Sequence, residues 1–115
     1  MEPIITIATT SDSKGELEKM GRHLLQERLV ACVQIVGPIK SLYWWKGSLE
    51  EADEWLGIMK SRKSLYPEVE AEIRRLHSYE VPEITAVELC DALPAYDSWV
   101  RAETSCRPDR VPGGR

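Results

Sequence analysis

No apolar run in the 115-residue chain approaches the ~18 residues that a membrane-spanning helix needs, so no span by an apolar helix is expected. Basic charge is in deficit: 15 Lys and Arg stand against 19 Asp and Glu, for a formal net charge of −4. The Arg-rich end from Arg107 to Arg115 makes the rest of the chain more acidic still. Such a surface repels phosphate backbones, and no Lys/Arg stripe compensates, so nucleic acid is not an expected partner. Cysteine is scarce: Cys32, Cys90 and Cys106 are odd in number and far apart, neither a disulfide framework nor a paired CxxC zinc site. Reduced thiols are expected. The opening Met1-Glu2-Pro3-Ile4-Ile5 has no basic region or cleavage site of a signal peptide, which makes a cytoplasmic location the expectation. G-x-S-x-G, P-loop and G-x-G-x-x-G patterns are all missing, and no enzyme activity is expected. What remains is 43% hydrophobic and 30% charged, the make-up of one soluble domain with a single core.

Ile4 to Ala8 reads as a strand, followed by a polar loop over Thr9 to Ser13. Ser13 and Glu16 have capping-box spacing, so a helix should begin near Lys14. Leu17, Met20, Leu24 and Leu25 recur along it at helical spacing. Gly21 costs that helix roughly 1 kcal/mol relative to Ala, which a close helix–sheet contact would compensate. Ala31 to Val36 and Ile39 to Trp45 form one long strand bent at Gly37-Pro38, and Lys46-Gly47-Ser48 turns it into a third strand over Trp55 to Lys60. Ser64 is placed to cap a second helix, with Pro67 in its first turn and Leu65, Val69, Ile73 and Leu76 as its apolar stripe. Ile84 to Leu89 is a fourth strand and Ala95 to Glu103 a third helix.

The order β-α-β-β-α-β plus a C-terminal helix gives an α+β fold, the ferredoxin-like α/β plait with a four-stranded antiparallel sheet. Residues 1–105 make one domain, and residues 106–115 read as a disordered tail. Val33, Ile35, Leu56 and Ile58 make the hairpin strands apolar on both faces, and Tyr43-Trp44-Trp45 adds more apolar surface than one domain can cover. Self-association through the open sheet face and the hairpin is expected.

Three blocks carry a resemblance: Ala31-Cys32-Val33-Gln34-Ile35, Ser41-Leu42-Tyr43-Trp44-Trp45-Lys46-Gly47, and His77-Ser78-Tyr79-Glu80-Val81-Pro82-Glu83-Ile84. Together with Glu27-Arg28-Leu29-Val30, Lys60, Tyr96 and Trp99, they resemble the CutA family of divalent-cation-tolerance proteins. The resemblance implies a homotrimer built like the PII signalling proteins, with Tyr43, Trp44 and Trp45 at the trimer interface. It also implies a role in the response to divalent metal ions, copper especially, and no settled catalytic activity. The sequence departs from the family at Ser78, where a proline is usual, and at Thr9-Thr10-Ser11, where many members carry a cysteine.

His77 is the leading metal-ligand candidate, since neutral imidazole binds copper and zinc, with Glu80 as accessory; the competing reading is a helix C-terminal histidine on the last carbonyls. Cys32 is a further candidate ligand or a small buried hydrophobe. Glu50, Glu51, Asp53 and Glu54 read as a solvated hairpin end. Trp45, Lys60, Tyr79 and Glu83 are the candidates for an inter-subunit cleft in which a small molecule would bind, the alternative to the metal role; a structural trimer engaging a protein partner is a third.

Overall fold

The computed structural model describes residues 1–104; the tail expected over 106–115, with Cys106, lies outside the described residues. Within them the chain runs β1 (Ile4–Ser11), α1 (Lys14–Gln26), β2 (Cys32–Trp45), β3 (Ser48–Arg62), α2 (Tyr66–Leu76), β4 (Ile84–Glu88) and α3 (Pro94–Glu103). The sheet order is β2-β3-β1-β4 with every neighbouring pair antiparallel, the ferredoxin-like plait.

Alternation along β1 sorts the core. Ile5 and Ile7 face α1 and α2 and join Met59, Leu17, Met20, Leu24, Val69 and Ile73 in one cluster, none more than 2% exposed. Burial of each such side chain stabilises the fold by about 1.5–3 kcal/mol. The strand runs past the expected end at Ala8 to Ser11, because β1 is central: Thr9 pairs with Gly57 and Ile84, and Ser11 with Trp55. Polar Thr9 and Ser11 are thereby fully buried on the helix-covered face.

Ser13 caps α1 as expected, its Oγ accepting from the Glu16 amide at 3.1 Å. The helix closes with Arg28 in the left-handed region at φ 59°, while the Leu29 amide reaches back to the Leu24 carbonyl and the Arg28 amide to Leu25. Gly21 lies against β2: a Cβ there would sit 3.0 Å from Val33 Cγ1, so the glycine is the close approach that brings α1 onto the sheet. The second helix begins differently from expectation. A single 3₁₀ turn, Lys63–Leu65, precedes α2, and Ser64 gives it no side-chain cap. Instead the Ser64 amide and hydroxyl both donate to the Glu2 carboxylate, at 2.7 and 3.0 Å, tying the start of the chain to this corner.

The bent strand and its turn form as read. The β2–β3 register shifts between Val36 and Ile39, at Gly37-Pro38, and Lys46-Gly47 turns with both residues at positive φ, 49° and 81°. The third helix crosses to the other face, where buried Val100 packs with Ile4 and Ala31 at one end of the sheet. Among the described residues the remainder of that face has no helix. Its register rows are Cys32–Lys60–Thr6–Val87, Gln34–Ile58–Ala8–Thr85 and Val36–Leu56–Thr10. Val36 and Val87 are 49% and 64% exposed there.

Candidate functional site

The segment between α2 and β4 meets the base of the hairpin and makes a concavity of about 820 Å³, with Tyr43, Trp45, Glu54, Tyr79, Glu80 and Glu83 among its lining residues. The helix stops at Leu76 because His77 takes up an extended conformation, its amide still bonded to the Ile73 carbonyl at 2.8 Å. The His77 side chain then turns inward and is fully buried. Its Nε2 donates to the Thr10 carbonyl at 2.7 Å and its Nδ1 accepts the Tyr79 amide at 3.1 Å. Those partners fix the neutral, Nε2-protonated tautomer. Glu16 braces the same corner, its two oxygens accepting from the Ser11 hydroxyl at 2.7 Å and the Ser78 amide at 3.1 Å.

Tyr79 packs obliquely on the His77 ring and carries its hydroxyl to Glu54, donating to Oε2 at 2.5 Å. Burial first, and then the Glu54 carboxylate, hold the Tyr79 phenol protonated well above the ordinary tyrosine range. Glu54 itself is only 5% exposed. The rim is charged: Lys46 Nζ lies 3.7 Å from Glu80 and 5.4 Å above the Trp45 ring.

The structure gathers part of each expected set. Trp45, Tyr79 and Glu83 share the concavity, with Tyr43, Trp44 and Glu80. Lys60 is not with them in the chain: it stands six positions along β3 from Glu54, about 20 Å at strand rise, opposite Thr6 and Cys32. His77, Glu80 and Cys32 do not converge either. His77 is bonded to Thr10, which pairs with Leu56, whereas Cys32 pairs with Lys60 and lies 3.7 Å from the Tyr96 hydroxyl. Burial and the Cys32 thiol push that phenol up to about 12. Both His77 nitrogens are already bonded, so a metal at either one would displace a partner. Among the described residues no three of His, Cys, Asp and Glu form a metal cluster. The described residues of a single chain therefore hold no preassembled cluster for a divalent ion. Of the acidic hairpin residues, Glu54 is a correction: it is buried, because it shares strand parity with Leu56 and Ile58 rather than with exposed Asp53. That parity, and not the surrounding run of charge, was the usable signal. Thr10 and Glu16, which hold His77 and its loop, act through a backbone carbonyl and a contact across 62 residues, neither visible as a motif.

A split β-α-β plait whose two longest strands run out into an aromatic-tipped hairpin defines the structural class. Residues 5–103 match the family model described as CutA1 divalent ion tolerance protein. The divalent-cation tolerance protein CutA of Archaeoglobus fulgidus is 38% identical over 94 residues, covering 82% of this chain and 91% of that protein. The Thermus thermophilus protein of the same description is 33% identical over 104 residues, covering 90% and 99%. Among solved structures, that of CutA from Archaeoglobus fulgidus superposes with a TM-score of 0.86 at 35% identity, covering 89% of this chain and 99% of that one. The crystal structure of CutA1 from Oryza sativa gives 0.87 at 31% identity, covering 92% and 97%. The chain belongs to the CutA family of divalent-cation tolerance proteins.

Proposed function

We propose that the chain works as a homotrimer in the response to divalent metal ions, with the open sheet faces and the hairpins meeting between subunits. The observation that carries the assembly is exposed apolar surface in two places: Val36 at 49% and Val87 at 64% on the open sheet face, and Leu42 at 65%, Trp44 at 73% and Leu49 at 64% on the opposite face of the projecting hairpin. Exposed apolar surfaces of this kind are interface material. Support for the metal role comes from the relatives, whose names describe divalent-cation tolerance. The buried, fully bonded His77 argues for weak binding at the exposed carboxylates of the rim, Glu80 and Glu83, rather than at imidazole. Copper and zinc are the ions to try, with no reaction assigned to the protein.

The test is light scattering followed by isothermal titration of the reduced protein with copper and with zinc. A trimer mass, with saturable binding that weakens in Glu80→Gln/Glu83→Gln, is expected. A monomer mass overturns the assembly. Loss of binding in His77→Ala with an unchanged fold would return the site to the imidazole. Failure of either metal to bind would move the role of the concavity to a small molecule, sought by thermal shift.

A further inference from the structure

Two charged groups on the open face of the sheet lack a counter-ion among the described residues. Glu54 is 5% exposed and has one hydrogen bond, from the Tyr79 hydroxyl, with no cation paired to it among the described residues. Lys60 is half-buried, and its ammonium has neither a hydrogen bond nor an ion pair among the described residues. Its row across the sheet, Cys32–Lys60–Thr6–Val87, offers no carboxylate. The other cation on the same side of β3, Arg62, is already bound to Glu2 and Thr104. A carboxylate taken this far out of water is costly without a cation near it, and so is an ammonium held against an apolar sheet. The two share one strand and one face, too far apart to meet within the chain: six positions along β3 is about 20 Å, more than both side chains can close.

From this placement we propose that Lys60 of one copy pairs with Glu54 of the next, at the point where Tyr79 already orients the carboxylate. The inference rests on the reading that open faces meet between copies, and it names the polar contact that sets their register. Each copy brings one acid and one base at different points of the same surface, so a head-to-tail contact uses both on every copy of the trimer proposed above. Glu80 and Glu83 on the same concavity add negative charge that favours an incoming ammonium. The partner's Lys60 thus completes the cleft that a single chain leaves without it, alongside Trp45, Tyr79 and Glu83.

The test uses the intact chain in two isotopic forms, mixed and reassembled, and treated with a carbodiimide that joins an amine to a carboxylate without a spacer. The separation along β3 means that a Lys60–Glu54 link forms only between copies. Light–heavy linked peptides in a protein of trimer mass are expected. Alongside, Glu54→Gln keeps the acceptor for Tyr79 and removes the charge, and Lys60→Met removes the ammonium. Each raises the concentration at which the assembly dissociates roughly 30-fold or more, and the double variant goes no further than the worse single one. A trimer mass with additive effects and no such link overturns the pairing and leaves the trimer. A dimer that carries the link overturns the trimer and keeps the pairing, and a monomer overturns both.

Discussion

Ile7 and Ala8 are neighbours in β1 and sit in different surroundings. Ile7 is completely buried beneath α1 and α2, among Leu17, Met20, Leu24 and Ile73. Ala8 looks the other way, into a row with Gln34, Ile58 and Thr85 that no helix among the described residues covers. One face is finished by the chain's own helices. The other holds a buried carboxylate, exposed valines and a lysine without a partner among the described residues, within which α3 closes one end. The contrast separates two kinds of information in one sheet: the covered face specifies the fold, and the open face specifies what meets it.

The largest expected effect breaks the covered side. Leu24→Ala empties a fully buried site at the centre of the cluster and should lower the unfolding free energy by about 2–5 kcal/mol, read by chemical denaturation at fixed protein concentration. Trp44→Ser, at a 73% exposed position on the hairpin, should leave the far-ultraviolet spectrum unchanged while reducing the mass seen by light scattering. Equal loss of secondary structure in both variants would erase the distinction between the core and the exposed hairpin.

Next in size is the link between them. Tyr79→Phe leaves the buried Glu54 carboxylate without its donor and should cost about 1–3 kcal/mol. Tyr66, Tyr79 and Tyr96 are all raised above the ordinary phenol value, chiefly by burial, so absorbance titration should find them protonated past pH ~10. A raised folded value means that their share of stability is intact below the unfolded value and is lost as pH rises through the folded one, about 12 for Tyr96. Gly21→Ala gains helix propensity but drives a methyl 3.0 Å from Val33; a net loss of roughly 1–2 kcal/mol is expected, recovered in Gly21→Ala/Val33→Ala.

The smallest effect lies on the outer surface of the helices. Arg75, and then His23, hold the Glu72 carboxylate at about 2. A lowered folded value contributes stability above the ordinary carboxylate range, and the contribution disappears as pH falls from ~4.5 through 2. The exposed setting limits it to about 0.5–1 kcal/mol, and Glu72→Gln should flatten the acid limb of a stability–pH curve by that amount.

Much of the plait was legible because its signals are local. Ser13 announces α1, the stripe of Leu17, Met20 and Leu24 sets its buried side, and Gly37-Pro38 and Lys46-Gly47 mark the bend and the turn. Tertiary context decided the rest. Thr9 to Ser11 looked like a loop, yet a central position in the sheet extends the strand through polar residues. Ser64 looked like a cap, yet Glu2, 62 residues away, takes its hydrogen bonds. The site was harder for the same reason. His77 was conspicuous by type, and only the Thr10 carbonyl and the Tyr79 amide show that it braces the loop. Glu54 hid in an acidic run whose other members are solvated, and what sets it apart is the side of β3 from which it projects.

The bend at Gly37-Pro38 has one more consequence. The 14-residue β2 lies at the edge of the sheet, with aromatic and branched residues along its length. A straight edge of that composition is a template on which further strands add, the first step toward a fibril. Pro38 withholds an amide donor midway, and the register shift between Val36 and Ile39 twists the two halves out of line. An incoming strand cannot zip along the whole edge, so a long hairpin with exposed aromatic residues is kept from seeding aggregation.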